Sequence, residues 1–282
     1  MEWLTSVLTD QKIPVGRTAK AAFDWLKLHG APVFDAISGA LTWLIGGIQT
    51  ILEFPHPLIF TALAVAFAWY TRRSWGICVL VALGFLFILN QGYWDETMQS
   101  LTLVLSAGVV CMAVGVPIGI AAAHRPRLYA VLQPVLDLMQ TLPSFVYLIP
   151  AIVFFGIGMV PGLIATLIFV LPAPIRLTYL GIKSTPTQLI EAARAFGATP
   201  RQLLWKVELP SALPQIMAGL NQTIMLSLSM VVIAALVGAS GLGVPVVRAL
   251  NSVNTGLGFE SGLVIVVVAI ILDRILRFER RS

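Results

Sequence analysis

The sequence predicts an all-α protein that crosses a membrane repeatedly, and three observations carry that prediction. Apolar residues make up 58% of the 282-residue chain against 11% charged, with a mean hydropathy of +0.90, far above that of a soluble domain. The apolar residues gather into segments that approach the ~20 residues an α-helix needs to cross ~30 Å of hydrocarbon. The basic residues fall in alternate connections between those segments. The net charge of +5 is therefore a topology signal. It is not a nucleic-acid surface, because the Lys and Arg residues form no patch interleaved with aromatics.

In chain order, MEWLTSVLTDQK carries acidic residues and no continuous apolar run, unlike a cleavable signal peptide. Residues 18–28 and 33–52 each have amphipathic spacing. In the second, Phe34, Ile37, Leu41, Leu44, Ile45, Ile48 and Leu52 share a face, while Asp35, Ser38, Thr42, Gln49 and Thr50 collect on another. Residues 1–56 are expected to form an outer, membrane-surface region. The alternative is an eighth span with the N-terminus inside, which Lys12, Arg17, Lys20 and Lys27 favour.

Seven spans are expected at 57–71, 75–90, 98–123, 138–157, 161–181, 216–238 and 262–277, making residues 57–282 the transmembrane domain. Arg72 and Arg73, HRPR at 124–127, the group Lys183, Arg194, Arg201 and Lys206, and the basic residues of 274–281 mark the cytoplasmic side. NQGYWDE at 90–96, GMVPG at 158–162 and a loop over 239–261 mark the other.

Between the fifth and sixth spans lies a charged insert, 184–210. Thr185, Pro186 and Gln188 predict a capping-box start for a helix over 186–196, which Gly197 stops. Thr199, Pro200 and Gln202 repeat the start signal for a second helix, expected to end by Leu209 because Pro210 follows. On the first helix Leu189, Ala192, Ala193 and Phe196 make a thin apolar face, with Glu191 and Arg194 beside it. Such a ridge suits a groove on another protein. A generic capped hairpin suits the inner leaflet as well.

The spacing within this insert is more specific. Glu191-Ala192-Ala193, then Gly197, then Val207 and the pair Leu209-Pro210 resemble the EAA signature of permease subunits in binding-protein-dependent ABC importers, with Val207 where the consensus has isoleucine. AAAHRPRLYAVLQPVLDLMQTLPSFVYLIP at 121–150, LPAPIRLTYLGI at 171–182, NQTIMLSLSMVVIAALVGASGLG at 221–243 and AIILDRI at 269–275 resemble permeases for glycine betaine, proline betaine and choline. FILNQGYWDETM at 87–98 and VPVVRALNSVN at 244–254 look most like the choline branch.

The resemblance implies a type I ABC importer permease fold in a bacterial cytoplasmic membrane. It also implies a homodimer of this chain, two copies of a cytoplasmic ATPase that hold ATP and magnesium, and an extracytoplasmic solute-binding protein. Glu191, Ala192, Ala193, Phe196, Gly197, Leu209 and Pro210 would then form the cytoplasmic coupling hairpin. The expected solute is choline, with glycine betaine next.

Other residues bound the function. There is no G-x-x-x-x-G-K-[ST], and GIKST at 181–185 lacks its spacing, so no P-loop is expected in this chain. Asp137, Arg176 and Asp273 lie near cytoplasmic ends, which is not the buried charge chain of an ion-coupled secondary transporter. His29, His56 and His124 are scattered at membrane edges and make no catalytic set. Cys78 and Cys111 sit inside apolar segments as small fillers, and no metal site is expected.

For the pathway, Pro143, Pro150, Pro161, Pro172 and Pro174 predict kinks, either packed between helices or lining a cavity. Phe145, Tyr147 and Tyr179 offer aromatic faces to a quaternary ammonium or pack at interfaces. Asn221, Gln222, Thr223, Ser227 and Ser229 either line the passage or hydrogen-bond between helices. Gly238, Gly241 and Gly243 form an outer turn, read either as a gate or as plain loop glycines.

Overall fold

The computed structural model describes residues 15–276; MEWLTSVLTDQK, Lys12 and the basic residues beyond Arg274 lie outside them. Among the described residues there are thirteen α-helices, one π-turn and no strand. In chain order they are α1 (Val15–Glu53), α2 (Pro57–Arg72), α3 (Trp75–Asn90), α4 (Trp94–His124), α5 (Pro126–Thr141), α6 (Ser144–Phe155), α7 (Met159–Val170) and α8 (Pro172–Lys183). Then come α9 (Thr187–Ala195), α10 (Pro200–Leu203), the π-turn (Leu204–Glu208), α11 (Leu209–Ala235), α12 (Gly243–Ser252) and α13 (Thr255–Leu276).

Among the described residues five runs are long and apolar enough to cross a membrane: Gly16–Glu53, Trp94–His124, Met159–Lys183, Pro200–Ala235 and Thr255–Leu276. The bent pair α5–α6 makes a sixth. The apolar helices α2 and α3 have 16 residues each, a rise of about 24 Å. Each of the seven segments expected to span falls on one of α2, α3, α4, α5–α6, α7–α8, α11 and α13.

Small residues bring α4, α8 and α11 into close contact. A Cβ on Gly119 of α4 would lie 2.7 Å from the Ile175 carbonyl of α8, and one on Gly181 of α8 would lie 3.1 Å from the Ala212 carbonyl of α11. Lipid tails are as apolar as leucine, so close backbone approach and dispersion supply the cohesion that water expulsion supplies in soluble proteins. Around this centre Ile88, Met98, Leu103, Val104, Leu163, Leu228, Val264 and Ile271 form the main core.

The structure corrects five expectations. The amphipathic segments 18–28 and 33–52 are one continuous helix, α1, which runs through Pro32. It packs on α4 and on the α6–α7 region, where Phe23 and Phe34 pack on Phe154, and Ser38 and Thr42 line a small cavity with Phe155, Gly158 and Pro161. Leu41 and Ile45 are buried in the core. Part of its polar stripe bonds within the helix, Gln49 donating to Glu53 and Thr50 to the Gly46 carbonyl.

The expected span 138–157 is broken, with α5 and α6 meeting at 98°. Leu142 and Pro143 are extended there (ψ 135° and 132°), and Leu142, as the residue before a proline, is driven out of the α region. The second insert helix does not end at Leu209 but continues to Ala235 through the π-turn, in which the Leu209 N–H donates to the Leu204 carbonyl. The missing donor of Pro210 thus falls at the changeover from i−5 to i−4 bonding, where it is tolerated.

The expected loop 239–261 holds α12 and the start of α13. The Asn254 side chain accepts from the Leu257 N–H and caps α13. Finally, α9 begins at Thr187 without a capping box: Pro186 is extended (ψ 130°), and Thr185 is buried with its hydroxyl unpaired.

Candidate functional site

The charged insert forms a hairpin projecting from the end of the bundle that carries the basic connections. Helix α9 ends in a Schellman motif: the Ala198 N–H donates to the Ala193 carbonyl at 3.0 Å and the Gly197 N–H to the Arg194 carbonyl at 2.9 Å, with Gly197 at φ +78°. Two residues on, Thr199 and Gln202 make a reciprocal capping box, the Gln202 N–H donating to Thr199 Oγ1 and the Thr199 N–H to Gln202 Oε1. The turn between the helices is therefore fixed by local bonds.

None of the residues of α9 is buried; Leu189 is 51% exposed and Phe196 92%. Ala192 and Glu191 are exposed beside them and Ala193 is half-buried. Covering a side chain such as Phe196 would contribute about 2 kcal/mol. Leu209 and Pro210, by contrast, lie in the first turn of α11. The EAA residues are thus divided between an exposed helix and the root of a long apolar helix, joined by an uninterrupted helical run from Pro200 to Ala235.

One contact at this root carries no sequence signal. Glu208, the last residue of the π-turn, is 6% exposed, and its Oε2 lies 2.8 Å from Nε2 of His124, the last residue of α4. The partners are 84 residues apart, so local spacing cannot reveal them. A second pair on the same side joins α5 to α8, where Arg176 donates to Asp137 Oδ1 at 2.6 Å and to Gln140 Oε1 at 2.9 Å.

The expected pathway residues occupy different environments in the chain. Tyr147 is buried and its hydroxyl donates to the carbonyls of Met139 and Leu142 at the α5–α6 bend, so the ring closes the bend and presents no open aromatic face. Phe145 is 58% exposed. Tyr179 stacks on Tyr129 with parallel rings. Thr223 and Ser227 are buried and donate to the Gly219 and Thr223 carbonyls of their own helix. Gln222 is exposed. Asn221 donates to Asp273 of α13 at 3.4 Å while its own Oδ1 is buried and unpaired.

The glycine turn is a packed knot with no slack for a loose loop. Gly238 and Gly241 have φ of +86° and +122°, and a Cβ on Gly241 would meet Ser100 Oγ at 2.5 Å. A Cβ on Gly243 would strike the Val231 carbonyl. Ser100 in turn accepts from the Leu242 N–H at 2.8 Å, fastening the turn to α4. Nearby, burial followed by the charges of Glu260 and Glu96 pushes the Tyr93 phenol above its ordinary value, so it stays protonated.

An open groove of about 690 Å³ between α12 and α13 is mostly apolar and lined by Leu250, Val253 and Phe259. No cluster of His, Cys, Asp and Glu among the described residues could hold a metal ion.

The described residues thus form an α-helical bundle of apolar helices with a capped, exposed hairpin at the end that carries the basic connections. Residues 115–278 match the family described as binding-protein-dependent transport system inner membrane component, and the chain belongs to that family. It is 48% identical over 264 residues to the glycine betaine transport system permease protein OpuAB of Bacillus subtilis, covering 94% of this chain and 93% of the relative. It is 44% identical over 264 residues to the glycine betaine/proline betaine permease ProW of Escherichia coli, covering 93% and 74%. A solved inward-facing structure of the MetNI methionine ABC transporter is 26% identical with a TM-score of 0.56, covering 64% of this chain and 92% of that one.

The chain is therefore the inner-membrane permease component of an ABC importer. ATP hydrolysis belongs to a separate subunit, and solute arrives on a binding protein.

Proposed function

We propose that this permease carries glycine betaine and that the hairpin 184–210 couples it to the ATPase. The expectation of choline gives way here, because the relatives at 44–48% identity are named for glycine betaine, alone or with carnitine or proline betaine. The observation that carries the coupling role is the exposed face of Leu189, Ala192 and Phe196 on a helix whose turn is locked at both ends and runs on into α11. A partner groove covering that face would gain apolar burial while Glu191 sets the charge at the rim. Ala193, Gly197, Leu209 and Pro210 keep the ridge thin and the root fixed.

In this mechanism two copies of the chain face each other, each docked on an ATPase that holds ATP and magnesium. Closure of the ATPase pair draws the hairpins together and opens the outer side, where the turn of Gly238, Gly241 and Gly243 sits. The bound protein then releases its solute between the two copies, past the stretch from Asn221 to Ser227, and hydrolysis resets the bundle. Each step needs only that the ATPase states favour different arrangements of the helices. The region before residue 57 lies on the outer membrane surface in this reading, since α1 meets the bundle at the α6–α7 turn.

The test is association. Glu191→Lys should insert and fold as wild type yet fail to co-purify the ATPase. Wild-type recovery of the ATPase with this variant would mean that the hairpin is only a surface loop.

A further inference from the structure

The hairpin is rooted in a π-turn, a place where a helix changes register by one residue and which would yield if the hairpin were pushed. Two groups hold it. Glu208 reaches His124 Nε2 at 2.8 Å, and His124 Nδ1 lies 2.9 Å from the Ile120 carbonyl of its own helix. The ring thus sits between the Glu208 carboxylate and the Ile120 carbonyl, and the carboxylate is held against it. The Glu208 side chain is 9% exposed and that of His124 45%, so the contact has a buried end inside the turn and an open end on α4. Neither residue lies on the exposed face of α9.

A partly buried polar contact of this kind adds little net stability over apolar packing, whereas holding one geometry is its better-attested use. The geometry held here is the junction of the hairpin, α4 and α11, which themselves pack together. We propose that the His124–Glu208 pair is a positioning latch that makes the hairpin and the inner ends of α4 and α11 move as one body, so that hairpin displacement reaches both helices. With the pair intact the π-turn is stiff. With it broken, the turn absorbs the displacement and ATP is hydrolysed without matching movement of solute. The inference rests on the reading of the hairpin as the ATPase contact.

The experiment uses the complete complex in proteoliposomes, with His124→Ala, Glu208→Gln and the double variant, and reads glycine betaine accumulated per ATP hydrolysed together with ATPase recovered on purification. The expected result is a fall in the ratio of about fivefold or more in each single variant, with the ATPase recovered as in wild type and the double variant no worse than either single one. A smaller fall in both variants, while the wild type couples, overturns the latch alone. Loss of the ATPase from both variants also overturns it, since the pair would then merely hold the hairpin in shape. A wild-type chain that recruits no ATPase overturns the coupling reading and the latch with it.

Discussion

Phe196 stands 92% exposed at the tip of α9, and the residue behind it decides whether it stays there. Gly197 has φ +78° and open space where a Cβ would go, so the cost of Gly197→Val is backbone strain alone, about 1 kcal/mol or more. That variant should keep the membrane fold and lose ATPase association, checked by co-purification from solubilised membranes. Tyr147→Phe acts differently: it strips the donor shared by the Met139 and Leu142 carbonyls and should lower stability by about 1–2 kcal/mol, read as earlier thermal unfolding in detergent. At this scale sequence reading succeeds where the chemistry is local. Gly197 as a helix stop and the Thr199–Gln202 box follow from residue type and spacing. Thr185 and Gln188 have the same spacing and form no box, because the extended Pro186 between them takes the chain out of helical geometry. The His124–Glu208 contact is tertiary and was never legible.

Among the elements, apolar periodicity places nearly every helix, and proline is what misleads it. Pro143 breaks a segment that composition makes continuous, whereas Pro32 and Pro210 interrupt nothing, the second because a π-turn adjusts the bonding around it. The periodicity of 33–52 is real, but amphipathic spacing cannot say whether a helix lies on a membrane or crosses it. Contacts are more informative: Phe34 packs on Phe154 and Phe155, next to the turn that also meets Thr42 and Ile45. In a chain lacking Cys78 and Cys111, single cysteines replacing Ala19 and Ser240 should react with an impermeant thiol reagent added to intact cells, and one replacing Arg201 should not. Protection at position 19 with reaction at 240 would make α1 an eighth span.

For the molecule as a whole, the fold class and the importer family are readable from hydropathy, basic residues and one twenty-residue motif, because each is imposed by the bilayer or by a partner. The solute is not, since the spans present no mid-membrane Lys or Arg that would favour a carboxylate, and the hydroxyls of Thr223 and Ser227 are spent within their helix. We expect selection to reside in the binding protein. Replacing it with a related, dockable protein of choline specificity should turn the complex into a choline importer, and Asn221→Ala should slow both solutes by similar factors in transport assays. The decisive measurement reconstitutes this chain with its ATPase and binding protein and follows glycine betaine inside the vesicles. Importer function by this chain predicts accumulation that requires ATP, with hydrolysis stimulated by glycine betaine about tenfold more than by choline. Accumulation driven by a sodium or proton gradient without ATP, or stimulation by choline in place of glycine betaine, would contradict it.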